Sequence, residues 1–146
     1  IAEWDAQAAA FASYITGKTA AEIAEIEDVT LCMECHGGTY TNNKESAIEL
    51  MENVNSKHFR MYWQPNQLRS EEENIQYAKL LSKYTENIHV FNWIGKEKYP
   101  LKEAKGVWKS YLNCFEKNKN LLLEFMPDDK IETLRSEADA LKEIAK

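Results

Sequence analysis

Two periodicities alternate along the chain. Val29-Thr-Leu-Cys-Met-Glu-Cys35, Phe59-Arg-Met-Tyr-Trp-Gln64, Ile88-His-Val-Phe-Asn92 and Leu121-Leu-Leu-Glu-Phe125 are short apolar or alternating runs rich in strand formers. They predict strands near 29–35, 59–64, 88–92 and 121–125. Between them apolar residues recur at helical spacing: Ala47, Leu50, Met51 and Val54; Tyr77, Leu80, Leu81 and Tyr84; Trp108, Tyr111, Leu112 and Phe115; Ile131, Leu134, Ala138 and Leu141. Asn43 suits an N-cap, and Ser70 with Glu73 makes a capping box. At the start, an Ala-rich helix with Trp4, Phe11 and Tyr14 is expected over Ala2–Tyr14. Gly17 then punctuates it, and Thr19 with Glu22 has capping-box spacing for a second short helix, Ala20–Ile26. Strand and helix alternate throughout, which predicts an α/β fold of βα units around a parallel sheet, as in a barrel or a doubly wound sheet.

Composition narrows this picture without changing it. A chain of 146 residues with 44% hydrophobic residues makes one domain with a real core. A net charge of −6 argues against a phosphate-backbone partner, so no nucleic acid is expected. No run of eighteen apolar residues occurs and the start lacks the features of a signal peptide, so no membrane span and a soluble, cytoplasmic protein are expected. The chain begins at Ile1 without a Met and goes straight into a helical pattern, which suggests a piece of something longer.

Cys32-Met-Glu-Cys35-His36 has the spacing of c-type haem attachment. On a strand, residues three apart face opposite ways and cannot both reach one porphyrin edge, so the motif needs a helical turn there. Buried apolar thiols are the simpler expectation.

The chemistry-bearing residues recur by position. Glu34, Gln64 and Glu124 stand where strands run out into loops, and His89 lies deeper within its own run. In parallel α/β folds that edge is where ligands sit. Two carboxylates and an imidazole from different strands can hold a divalent cation through O and N ligands, or move protons at a carbon next to a carbonyl. Glu34 and His36 lie two apart and share a side while the backbone stays extended.

At these residues the chain resembles a known family. Glu34-Cys-His36-Gly-Gly-Thr, Trp63-Gln-Pro-Asn-Gln67, Asn87-Ile-His89-Val and Leu122-Leu-Glu124 look like the xylose isomerase-like TIM-barrel superfamily of sugar-phosphate isomerases and epimerases, from about Thr19 to Lys146. The resemblance implies one divalent metal (Mn, Mg, Zn or Co) held by Glu34, Gln64, His89 and Glu124, with Glu34 and Glu124 as the acid/base pair. It also implies a small carbohydrate or sugar phosphate as substrate, with His36, Trp63, Gln67 and Trp93 against it. Three positions depart from the pattern: Gln64 and Gln67 stand where the family often has Asp-x-x-His, and Asn92 where an Asp commonly follows the metal His. A Gln carbonyl ligates without bringing charge.

A complete barrel has eight strands and about 250 residues, and this chain supplies the last four. A half-barrel with helices on one side is expected to leave a large apolar inner face wet, which predicts a homo-oligomer. A truncated barrel is the alternative. Tyr40, Tyr62, Trp63 and Trp93 are expected near the mouth, where rings stack on sugar faces, and Arg69, Lys96 and Lys98 are candidates for a phosphate or carboxylate. The functional classes are therefore a metal-assisted isomerase or epimerase, or a non-catalytic, carbohydrate-binding relative of it, with a haem protein a remote third.

Overall fold

The computed structural model describes residues 2–116 and 118–146 and, within the first helix, the side chains of residue 12 and residues 14–26. Helix α1 (Ala2–Ile26) leads into β1 (Leu31–Glu34), α2 (Lys44–Val54), β2 (Phe59–Trp63), α3 (Glu71–Leu81) and β3 (Thr85–Val90). A small hairpin, β4 (Trp93–Ile94) and β5 (Glu97–Lys98), precedes α4 (Lys105–Leu112), β6 (Asn120–Leu123) and α5 (Leu134–Ile144). The four long strands form one sheet in the order β1-β2-β3-β6, each neighbour parallel to the last. The protein is therefore α/β with strands that follow one another in space as they do along the chain.

Two of the expected caps act where the sequence places them, while Thr19 and Glu22, expected to open a second helix, lie inside the continuous first one. Asn43 accepts from the Glu45 N–H at 2.8 Å, and Ser70 and Glu73 close a reciprocal capping box. Alternation decides the rest. Along β2, Phe59, Met61 and Trp63 are buried while Arg60 and Tyr62 are half-exposed. Phe59, Met61, Trp63, Ile88 and Val90 join Leu50, Met51, Tyr77, Leu81, Trp108 and Ile144 from the helices in one core. Trp63 sits at its centre, edge-on to Trp108 and Tyr111 and tilted against Phe115.

Several expectations are corrected. Gly17 does not break the first helix: Ala2–Ile26 is continuous. Gly17 suits the close approach of the neighbouring elements; a Cβ would stand 3.0 Å from Val54 Cγ2 and 3.3 Å from the Phe59 ring, so those side chains would have to give way. The side chains of Trp4 and Phe11 lie outside the described residues. The run after Val90 does not continue as strand but folds back as the β4–β5 hairpin, turned at Gly95, whose φ of 60° suits glycine. Ile131 and Leu134 are 79% and 45% exposed, so the last helix begins its packing later than its apolar spacing implies. A buried acid replaces them: Glu137 accepts the Leu101 N–H at 2.8 Å and so caps the 3-10 turn before α4.

The sheet's second face is open, and it is polar. Period two from the buried positions puts Cys32, Glu34, Arg60, Tyr62, Gln64, Asn87, His89, Asn120, Leu122 and Glu124 on it. Hydrogen bonds run across it from Asn120 Nδ2 to Asn87 Oδ1 at 2.9 Å and from Asn87 Nδ2 to Cys32 Sγ at 3.2 Å. Among the described residues this face is mostly polar, Leu122 apart, rather than the apolar one from which a homo-oligomer is expected. No helix among the described residues is long and apolar enough to cross a membrane.

Candidate functional site

The carboxyl ends of the strands hold the cluster. Glu34 is the last residue of β1, and its position is fixed from behind. Thr41 Oγ1 donates to the Glu34 carbonyl at 2.6 Å, and the Tyr77 hydroxyl from α3 donates in turn to the Thr41 carbonyl. Glu124 stands one residue past β6, where its N–H donates to the Val90 carbonyl at 3.2 Å and carries the parallel ladder one step further. His89 and Gln64 come from neighbouring strands between them. One ligand atom each from Glu34, His89 and Glu124 lies within 4.8 Å of the others.

Gln64 completes the quartet through hydrogen bonding. His89 Nδ1 lies 2.9 Å from Gln64 Oε1 and 3.5 Å from Glu124 Oε2. The Tyr62 ring stacks on His89 with centroids 4.5 Å apart and planes 30° from parallel, which holds the imidazole plane. Tyr62 was expected as a mouth aromatic; its contact with His89 was not, although its spacing of two from Gln64 could have revealed it.

The charges in this cluster are crowded. Burial pushes the Glu124 carboxyl up to about 7, the negative charge of Glu34 adds to the rise, and His36 opposes it. Burial holds the His89 imidazolium below its usual range, with Glu34 pulling the other way, which favours the neutral ring and its lone pair. Glu124 Oε2 is buried and accepts no hydrogen bond from the described residues. A divalent cation fits this donor set: two carboxylates and a neutral imidazole converge, and one carboxylate oxygen lacks a partner.

The remaining expected site residues divide. A cavity of about 380 Å³ at this rim is lined by Glu34, His36, Gln64, Gln67, Trp93 and Glu124, among others. Gln67 is held by its carbonyl, which accepts the Gly95 N–H at 3.0 Å and ties the loop after β2 to the hairpin. His36 lines the cavity but stands apart from the cluster; the chain leaves extended geometry after Glu34, and His36 Nδ1 lies 2.7 Å from the Gly37 carbonyl oxygen. Trp63 is not at the mouth. It is 0% exposed on the helix-covered face, because it is adjacent in sequence to Gln64 and must point the opposite way. Phe91 and Phe125, which no motif marked, line the cavity in its place.

Three other candidates are engaged elsewhere. Tyr40 donates to Glu49 Oε2 at 3.1 Å, Arg69 donates to the Asn42 carbonyl at 2.5 Å, and Lys98 pairs with Asp129 at 2.5 Å. The haem reading fails because Leu31–Glu34 is a strand. Cys32 accordingly faces the open side while Cys35 is buried, its thiol pushed up to about 12 by burial. The chain matches no protein-family model and no curated protein.

Proposed function

We propose that the protein is a sugar or sugar-phosphate isomerase or epimerase, and that its sheet corresponds to the last four strands of a xylose isomerase-like TIM barrel. The observation that carries this reading is the convergence of Glu34, His89 and Glu124 within 4.8 Å at the carboxyl rim of parallel strands. Glu34, His89 and Glu124 would hold a divalent cation, with Gln64 as a neutral fourth donor. Such a cation supplies positive charge to the oxygen of an enediolate. Glu124, poised near neutral pH, is suited to take a proton from the carbon beside a sugar carbonyl and return it, with Glu34 as its counterpart. His36, Gln67 and Trp93 line the space where the sugar would lie, Trp93 offering ring surface and the other two hydrogen bonds.

The test is solvent-proton exchange. With Mn, Mg, Zn or Co added, ketoses and their phosphates in D₂O are expected to gain deuterium beside the carbonyl, read by proton NMR, and Glu124→Gln is expected to stop it. Absence of both exchange and measurable ion binding by the unaltered chain would sink the reading. One observation favours a second reading, a carbohydrate-binding relative without turnover: the side chain nearest His89 is the uncharged Gln64. Sugar binding without exchange would select it.

A further inference from the structure

The rim cavity is walled on one side by β1, β2 and the loops that follow them, which bring Glu34, His36, Gln64 and Gln67 to it. Behind that wall lies a buried polar network. The Cys35 N–H reaches back to the Tyr62 carbonyl on β2 at 3.1 Å, so the Glu34 carbonyl, one residue earlier, points to the outer edge, where β1 is the last strand. Thr41, 4% exposed in the 3-10 turn Tyr40–Asn42, takes the place of a strand there, its Oγ1 donating to that carbonyl at 2.6 Å.

Asn74 serves the second loop in the same way. It is 3% exposed on α3, on the face that also buries Tyr77, Ala78 and Leu81, where an amide is costly unless both its ends are bonded. Both are. Oδ1 accepts the Asn66 N–H at 2.8 Å and Nδ2 donates to the Asn66 carbonyl at 3.1 Å, which clamps the chain between Gln64 and Gln67.

The two loops are also tied to each other and to α3. Asn66 Nδ2 donates to Asn42 Oδ1 at 3.2 Å, Arg69 donates to the Asn42 carbonyl at 2.5 Å, and the Tyr77 hydroxyl donates to the Thr41 carbonyl. Breaking one link leaves a buried group unpaired, so the network resists displacement as a unit.

We propose that Thr41 and Asn74 are positioning residues, which lock the loops after β1 and β2 onto α3 and so set where Glu34 and Gln64 stand around a cation. The last clause rests on reading the rim as a cation site. Groups that orient ligands from behind typically carry tenfold or more of metal affinity.

The test pairs variants of like shape: Thr41→Val removes the hydroxyl, Thr41→Ser keeps it, and Asn74→Leu removes both amide bonds, with each fold checked by circular dichroism. In metal-free buffer, Thr41→Val and Asn74→Leu are expected to speed amide hydrogen exchange in the loops after β1 and β2 and to leave the core of β2 and β3 protected. With Mn added, calorimetry is expected to show binding weakened about tenfold. Thr41→Ser is expected to restore both readouts. Should Asn74→Leu fail to fold, the two Thr41 variants decide alone. The proposal is overturned if loop exchange is unchanged, if exchange rises equally throughout the chain, if Thr41→Ser behaves as Thr41→Val, or if the variants bind Mn as tightly as a parent that binds it. A parent that binds no ion sinks the cation reading instead, and exchange in metal-free buffer then judges the lock by itself.

Discussion

The two faces of the sheet are made from the same strands and differ in almost everything else. Toward the helices stand Phe59, Met61, Trp63, Ile88 and Val90, all at most 3% exposed and packed on one another. On the other side, one residue away in each strand, stand Arg60, Tyr62, Gln64, Asn87 and His89; His89 meets Gln64 by a hydrogen bond and Tyr62 by a ring stack, and Asn87 donates to Cys32. The first face makes the fold and tolerates little change. The second stays wet enough to be polar, yet at its carboxyl rim it is dry enough to shift a carboxylate to about 7. Stability and chemistry are thus separated by the two-residue period of a strand.

The sharpest way to break this comparison is to truncate neighbours on opposite faces. Trp63→Ala opens a cavity among Trp108, Tyr111 and Phe115 and is expected to cost about 3–5 kcal/mol. Tyr62→Ala, next to it in the chain, removes a half-exposed ring and is expected to cost about 1 kcal/mol or less while loosening His89. Urea denaturation of both variants reads the difference; equal losses would mean that the faces are not distinct.

Much of this was legible in the sequence and some was not, for physical reasons. Strand ends are marked by where apolar runs meet polar loops, so Glu34, Gln64 and Glu124 could be placed at one rim before any coordinates. Period two also contained the correct face of Trp63, but a tryptophan beside a mouth motif invites a ligand role that the alternation forbids. Gly17 was unreadable because helix propensity is local, whereas the pressure for a glycine comes from Val54 and Phe59, far along the chain. The hairpin at Gly95 was hidden because strands of two residues carry no periodic signal.

Glu137 was hidden for another reason: on an amphipathic helix an acid signals solvent, and nothing local shows that it meets Leu101. It carries a polar function into the helix-covered side and so tests whether that side is uniformly apolar in its demands. Glu137→Ala leaves the Leu101 N–H buried without an acceptor and is expected to cost about 2–3 kcal/mol. Thermal unfolding checks this, and a cost near zero would show that water reaches the turn before α4.

The open face is expected to reveal itself in pH dependence. Glu124 is raised from 4.5 to about 7 in the folded protein. Between those values the folded chain holds a proton that the unfolded chain has lost, so stability falls as pH rises through this window. Its contribution is fully present below about 4.5 and gone above about 7. With solvent screening allowed for, the change is on the order of 1–2 kcal/mol.

His89 acts in the opposite sense, since its depressed imidazolium adds stability as pH climbs toward 6.5. The two are separated by subtraction. In metal-free buffer, Glu124→Gln keeps the shape of the side chain and removes its titration, so the difference in unfolding free energy between variant and parent should grow from pH 4.5 to 7 and then level off. Glu34→Gln removes the charge that adds to the Glu124 shift, and should move the midpoint of that growth to lower pH. If the difference is flat across the window, the rim of the open face is as well hydrated as the rest of it, and Glu124 is not poised for proton transfer.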